Sequence, residues 1–136
     1  MSVEKPFVLF VCRHNTGRSQ MAEAYLRHFA GDEIEVASAG TEAADLPNAA
    51  VVAAMADDGI DISQARPKLI DPSIAARADR IITMGCDVVG VPHIDEDWGL
   101  PDPKGQTPER VREIRDIAKA RAAILARTLL GPASAS

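Results

Sequence analysis

The chain has 136 residues, 46% of them hydrophobic and 26% charged, which suits one folded domain over 1–136 and excludes wholesale disorder. Lys and Arg total 15 against 20 Asp and Glu, a formal charge of −5. That balance argues against a general binder of nucleic acid or acidic membrane, although a few local donors can still hold a small anion.

In chain order, Phe7-Val8-Leu9-Phe10-Val11 is a continuous β-rich apolar run, expected for a strand buried on both faces of a parallel sheet. A polar segment from Cys12 to Arg18 follows. Ser19 to Leu26 then reads as helix, with Met21, Ala22, Tyr25, Leu26 and Phe29 on one face. Ile34 to Ala37 predicts a short strand ending at Ser38-Ala39-Gly40. A second helix is expected from Leu46-Pro47 to about Met55, with the proline in its first turn, stopped at Asp57-Asp58-Gly59. Asp71-Pro72 caps a short third helix. Arg80 to Met84 is another buried strand, and Val91 to Ile94, broken by Pro92, is expected as an edge strand. Thr107-Pro108-Glu109 opens the longest helix, with a stripe of Val111, Ile114, Ala118, Leu125 and Leu129, and the tail from Gly131 reads as frayed. Strand–helix alternation predicts an α/β sandwich on a parallel sheet.

No apolar run approaches the ~18–20 residues of a bilayer span, and Phe7 to Cys12 is too short for a signal-peptide core. Two cysteines build no disulfide framework, and without a Cys-x-x-Cys pair the three scattered histidines suggest no metal site. The expectation is a soluble cytoplasmic protein with free thiols, no bound cofactor and no nucleic-acid or membrane partner.

The segment Cys12-Arg13-His14-Asn15-Thr16-Gly17-Arg18-Ser19 carries the chemistry. It joins a buried strand to a helix, at the carboxyl edge of the sheet where α/β folds place ligands. A loop this short wraps tightly, and Asn15 and Gly17 are the types that tolerate left-handed backbone. Such a wrap turns the N–H groups of Arg13, His14, Asn15, Thr16, Gly17 and Arg18 inward as an oxyanion nest, at the positive end of the next helix. The Arg18 guanidinium adds a two-pronged grip. The same surroundings favour a thiolate at Cys12, with the Ser19 hydroxyl placed to donate to the sulfur. A sulfur nucleophile under a tetrahedral-anion cradle implies in-line attack on phosphorus or a chemical mimic of phosphate. The competing reading, a structural cysteine ahead of an ordinary helix cap, does not account for the Cys-x5-Arg-Ser spacing.

The run Val8-Leu9-Phe10-Val11-Cys12, with Asn15 and Arg18-Ser19-Gln20-Met21-Ala22-Glu23-Ala24, resembles the low-molecular-weight protein tyrosine phosphatase superfamily. More narrowly, Ser38-Ala39-Gly40-Thr41, Gly59-Ile60-Asp61-Ile62-Ser63, Glu96-Asp97-Trp98-Gly99-Leu100 and Asp102-Pro103-Lys104-Gly105-Gln106 resemble its thioredoxin- and thiol-coupled arsenate reductases. Ser63-Gln64, Pro67-Lys68 and Ile70-Asp71-Pro72 look most like the mycothiol-dependent branch. The resemblance implies a three-layer sandwich with a four-stranded parallel sheet flanked by helices. It also implies a function, reduction of arsenate to arsenite through a Cys12 thiolate–arsenate adduct.

A departing oxide or hydroxide needs a proton. Asp102, stiffened between Pro101 and Pro103, is the candidate donor, and the resemblance assigns the general acid there. Relatives with an internal disulfide relay use three cysteines, and this chain has two. Cys86 is therefore either a lone resolving thiol or a free strand-end cysteine. Thr16 stands where several relatives carry cysteine. The implied reductant is external: mycothiol, glutathione or bacillithiol, followed by a glutaredoxin- or mycoredoxin-type protein. The alternative is a low-molecular-weight phosphatase working through a phosphocysteine; Lys104-Gly105 after Asp102-Pro103, in place of tyrosines, disfavours a phosphotyrosine substrate. A third option is a non-catalytic anion sensor, against which the joint presence of Cys12, Arg18 and Asp102 counts. The side chains of Arg13 and His14 are expected at the mouth of the loop, turned to water. His28 and His93 read as surface groups, Trp98 as core, and Asp95, Glu96 and Asp97 as a solvated charge cluster.

Overall fold

The computed structural model describes residues 5–85 and 88–131. Four parallel strands form one sheet in the order β2-β1-β3-β4: β1 Phe7–Cys12, β2 Glu35–Gly40, β3 Arg80–Thr83 and β4 Glu96–Asp97. The helices are α1 Arg18–Ala30, α2 Ala49–Asp57, α3 Pro72–Arg77 and α4 Pro108–Leu130.

Every residue of β1 is buried because it is central in the sheet and covered on both faces. Its side chains alternate between two cores. Val8, Phe10 and Cys12 face α1, α2 and α4, among Met21, Tyr25, Leu26, Met55 and Ile114. Phe7, Leu9 and Val11 face the thinner layer of α3, with Ala75, Ala78 and Ile81. The scarcity of aromatics leaves this second core aliphatic but for Phe7, whose ring lies 4.4 Å from the Arg77 guanidinium. The parity that buries Phe10 also turns Cys12 toward the N-terminus of α1, and this sets the position of its sulfur.

The caps of α3 and α4 follow the sequence: Asp71 accepts from the Ser73 amide and Thr107 from the Arg110 amide, each with proline next. Helix α2 differs. It starts at Ala49, not Leu46-Pro47, because the Asn48 side chain accepts from the amides of Ala50 and Val51 and leaves Pro47 outside.

The edge strand also differs: β4 is Glu96–Asp97, and Val91 to Ile94 carry no strand. Pro92 has no amide to donate to a ladder. Asp95 instead closes the pairing, its amide donating to the Ile81 carbonyl at 2.9 Å and its carboxylate accepting the Ile81 amide at 2.8 Å. Glu96 meets Arg80 and the Trp98 indole, so the acidic run, with Asp95 and Asp97 exposed, is a solvated cluster that also forms the ordered edge of the sheet. Trp98 is core, its ring 5.2 Å from that of Phe10. No helix among the described residues is long and apolar enough to cross a membrane.

Candidate active site

Cys12 ends β1 and its side chain is buried. The chain then turns through Arg13–Gly17 into α1, and the turn is held open from outside. The carbonyls of Cys12, Arg13, His14 and Thr16 accept from the amides of Thr41, Glu42, Ala44 and Asn48 at 2.8–3.2 Å. The Asn15 carbonyl accepts from the Gln20 side chain at 3.1 Å. A trans peptide points its N–H opposite to its C=O. With these carbonyls pulled outward, the amides of Arg13 to Gly17 turn toward the inside of the loop, an anion nest. The Asn15 amide shows the direction, lying 3.2 Å from Cys12 Sγ.

Asn15 carries the left-handed residue of the wrap, at φ 55°, and is fully buried. Gly17, at φ −140°, is not left-handed. Its need for glycine is a close approach: a Cβ there would lie 3.0 Å from the Pro103 ring. Gly40 serves the loop's other flank, where a Cβ would come within 2.6 Å of the Arg13 carbonyl oxygen.

Beside the sulfur lies a directed chain of hydrogen bonds. The Lys68 amide donates to Asn15 Oδ1 at 2.9 Å, and Asn15 Nδ2 donates to Ser19 Oγ at 2.7 Å. Ser19 Oγ is 2.8 Å from Cys12 Sγ. Because the serine oxygen already accepts from the amide, its single proton is free to point at the sulfur. Two donors, the Asn15 amide and the Ser19 hydroxyl, thus converge on one sulfur. No side chain caps the N-terminus of α1, so its positive end faces the same place.

Arg18 Nη1 donates to the carbonyls of Met84 and Leu100 at 3.0 and 3.1 Å. These two bonds tie the loop to the ends of β3 and β4 and leave Nε and Nη2 for a planar two-pronged contact. Asp102 is exposed, its Oδ1 accepting from the Lys104 amide at 3.0 Å, while Pro103 is buried against the anion loop. A cavity of about 50 Å³ joins these parts, bordered by Cys12, His14, Thr16, Gly17, Arg18, Asn48, Asp102, Pro103 and Lys104. Pockets for drug-sized molecules run to about 300–1,000 Å³, so this one suits a tetrahedral oxoanion. None of the described residues around it is Phe, Tyr or Trp.

The residues singled out from sequence thus divide. Cys12, Arg18, Ser19 and Asp102 meet around one cavity or one sulfur, while Asn15 serves through its backbone and its buried amide. The Arg13 guanidinium turns away to the Glu42 carboxylate at 2.7 Å, an exposed pair of small energetic weight. His14 Nδ1 donates to the Glu42 carbonyl at 3.0 Å. Cys86 lies outside the described residues. Sequence reasoning did not single out Asn48 and Lys104 as cavity walls, Gly40 as the surface under the loop, or the Lys68 amide. The sequence reading opened α2 at Leu46-Pro47 and so missed Asn48 as its cap, and only tertiary packing carries that cap to the cavity.

The chain matches the family model described as low molecular weight phosphotyrosine protein phosphatase over residues 7–91. It is similar to an arsenate reductase of Bacillus licheniformis, 44% identical over 108 residues that cover 74% of this chain and 76% of the relative. Among solved structures it resembles the thioredoxin-dependent arsenate reductase of Corynebacterium glutamicum, at TM-score 0.80 and 34% identity. That match covers 95% of this chain but only 64% of the other, under two thirds of its length. It also resembles an arsenate reductase in the phosphate binding state, at TM-score 0.83 and 35% identity, covering 91% of this chain and 98% of that one.

Proposed function

Since the chain belongs to the low molecular weight phosphotyrosine protein phosphatase family, we propose that it works on a tetrahedral oxoanion by attack of the Cys12 sulfur, and that the oxoanion is arsenate. The observation that carries this reading is the small cavity with Cys12 on its floor, Asp102 at its rim and no Phe, Tyr or Trp among its described walls. Solved relatives that share the fold and about a third of the sequence are named arsenate reductases, one of them in a phosphate-binding state. That supports arsenate, which has the shape and charge of phosphate.

Inward loop amides and the free face of Arg18 hold the oxygens of arsenate while the thiolate forms a sulfur–arsenic bond. The Ser19 hydroxyl, 2.8 Å from the sulfur, holds it in place for attack. Asp102 gives its proton to the leaving oxygen, which departs as water. The adduct is then opened by an external thiol. Over the whole cycle two thiol groups become one disulfide, and As(V) takes up the two electrons to leave as arsenite. Mycothiol, glutathione or bacillithiol supplies the first thiol and a glutaredoxin- or mycoredoxin-type protein the second, in a reducing cytoplasm. Thr16 in the loop and a total of two cysteines support an external reductant over a three-cysteine relay.

The test gives the purified protein arsenate with each thiol in turn, with and without a redoxin, and measures arsenite. Arsenite release with a thiol and redoxin is expected. Brisk hydrolysis of an aryl phosphate with no arsenite under any combination would replace this reading with a phosphatase working through a phosphocysteine.

A further inference from the structure

Asn48 is pinned at two points. Its amide donates to the Thr16 carbonyl at 2.9 Å, and its Oδ1 accepts from the amides of Ala50 and Val51 at 2.8 and 3.3 Å. Those two donors fix which end of the side-chain amide is oxygen. The nitrogen end, Nδ2, therefore points away from α2, and it has no hydrogen-bond partner among the described residues. Asn48 borders the cavity above Cys12, together with Asp102 and Lys104.

We infer that Asn48 Nδ2 is a direct donor to the oxoanion, contacting the oxygen that faces the mouth of the cavity. This rests on the reading of that cavity as an oxoanion site. A tetrahedral ion seated on the loop presents its other oxygens to the amides and Arg18, and one oxygen is left pointing outward. That oxygen is the one to be expelled, and the loop amides lie on its far side. An –NH2 held rigid by a helix cap on one side and the anion loop on the other meets it without ordering a side chain on binding. Lys104, also at the rim, stands on an exposed and flexible stem and lacks that advantage. The cap of α2 is thereby also a wall of the site, and the segment from Thr41 to Asn48, whose amides hold the loop carbonyls, delivers it.

The experiment separates capping from contact. Serine and aspartate both cap helices about as well as asparagine. Aspartate has no donor, and the shorter serine draws its hydroxyl back from the cavity mouth, so Asn48→Ser and Asn48→Asp both keep α2 while taking the Nδ2 donor away. Inorganic phosphate binding is measured by calorimetry on the purified full chain, with thermal unfolding alongside. Losing a hydrogen bond to a charged group predicts about tenfold weaker phosphate binding in Asn48→Ser at an unchanged Tm. Asn48→Asp sets a carboxylate against the anion and is expected to bind more weakly still. Wild-type affinity in Asn48→Ser overturns the inference, and so does Asn48→Asp binding as well as or better than Asn48→Ser, the pattern of a purely structural cap. If the unaltered protein binds no phosphate, the oxoanion reading falls as well, a result distinct from either of these.

Discussion

The closest packing at the site is between Gly40 and the anion loop, and Gly40→Ala tests whether the loop's position matters. The added methyl would sit 2.6 Å from the Arg13 carbonyl oxygen and 3.0 Å from the Asn15 nitrogen. Ordinary contact begins at 3.4 Å, so the Arg13 carbonyl must retreat by about 0.8 Å. Neither side yields freely. Gly40 is held by the Lys68 carbonyl and the Ile70 amide, and its strand is in register with Cys12. Arg13 is held by the Glu42 amide, and the Asn15 amide is the one that meets Cys12 Sγ. Overpacking of this kind costs about 1–3 kcal/mol of stability. A displacement near 1 Å in a group that positions reactants costs up to about a hundredfold in rate. The expected outcome is a folded protein with a lowered Tm, weaker inorganic phosphate binding and kcat/KM for arsenate reduced by one to two orders of magnitude. Phosphate affinity and turnover at wild-type levels would refute the argument that the loop is held rigidly against β2.

Cys12→Ser should abolish both arsenite release and aryl-phosphate hydrolysis while keeping phosphate binding, which calorimetry checks. Asp102→Asn should slow the chemical step by about 10²–10⁴-fold, read by single-turnover kinetics; an unchanged step would remove Asp102 from the acid role. Cys86→Ser should leave turnover with an external thiol unchanged, and a collapse of activity would make Cys86 part of the electron path. A pH prediction rests on Asp58, whose carboxylate accepts from Lys119 and from the buried Tyr25 hydroxyl at 2.9 and 2.7 Å. The Lys119 hydrogen bond, then that of Tyr25, holds the Asp58 carboxyl below its usual range. A folded-state pKa depressed in this way gives stability that is present above the unfolded value of about 3.9 and is lost as pH falls through the folded one. Asn replacement of Asp58 should therefore lower the urea midpoint at pH 7, and the difference from wild type should shrink below about pH 4; a constant difference across that range would refute it.

Much of the molecule was written locally. A six-residue apolar run dictates a central strand, because only a sheet covered on both faces buries every side chain of such a run. Asp71-Pro72 and Thr107-Pro108 fix two helix starts, since cap and proline act within a single turn. The spacing from Cys12 to Arg18 and Ser19 announced an anion loop for the same reason, as its wrap involves only neighbours in the chain. Other features depended on partners far along the chain. The edge strand is two acidic residues, and their pairing is secured by Asp95 on the Ile81 amide, which leaves no apolar pattern to read. The loop's carbonyls are drawn outward by the segment from Thr41 to Asn48, Gly17 is matched to Pro103, and Arg18 is anchored on Met84 and Leu100. Residue types and their spacing thus determined which groups react, because that is local chemistry. Where those groups point, and which distant side chains complete the cavity, was decided by packing, since the contacts responsible join positions as far as 82 residues apart.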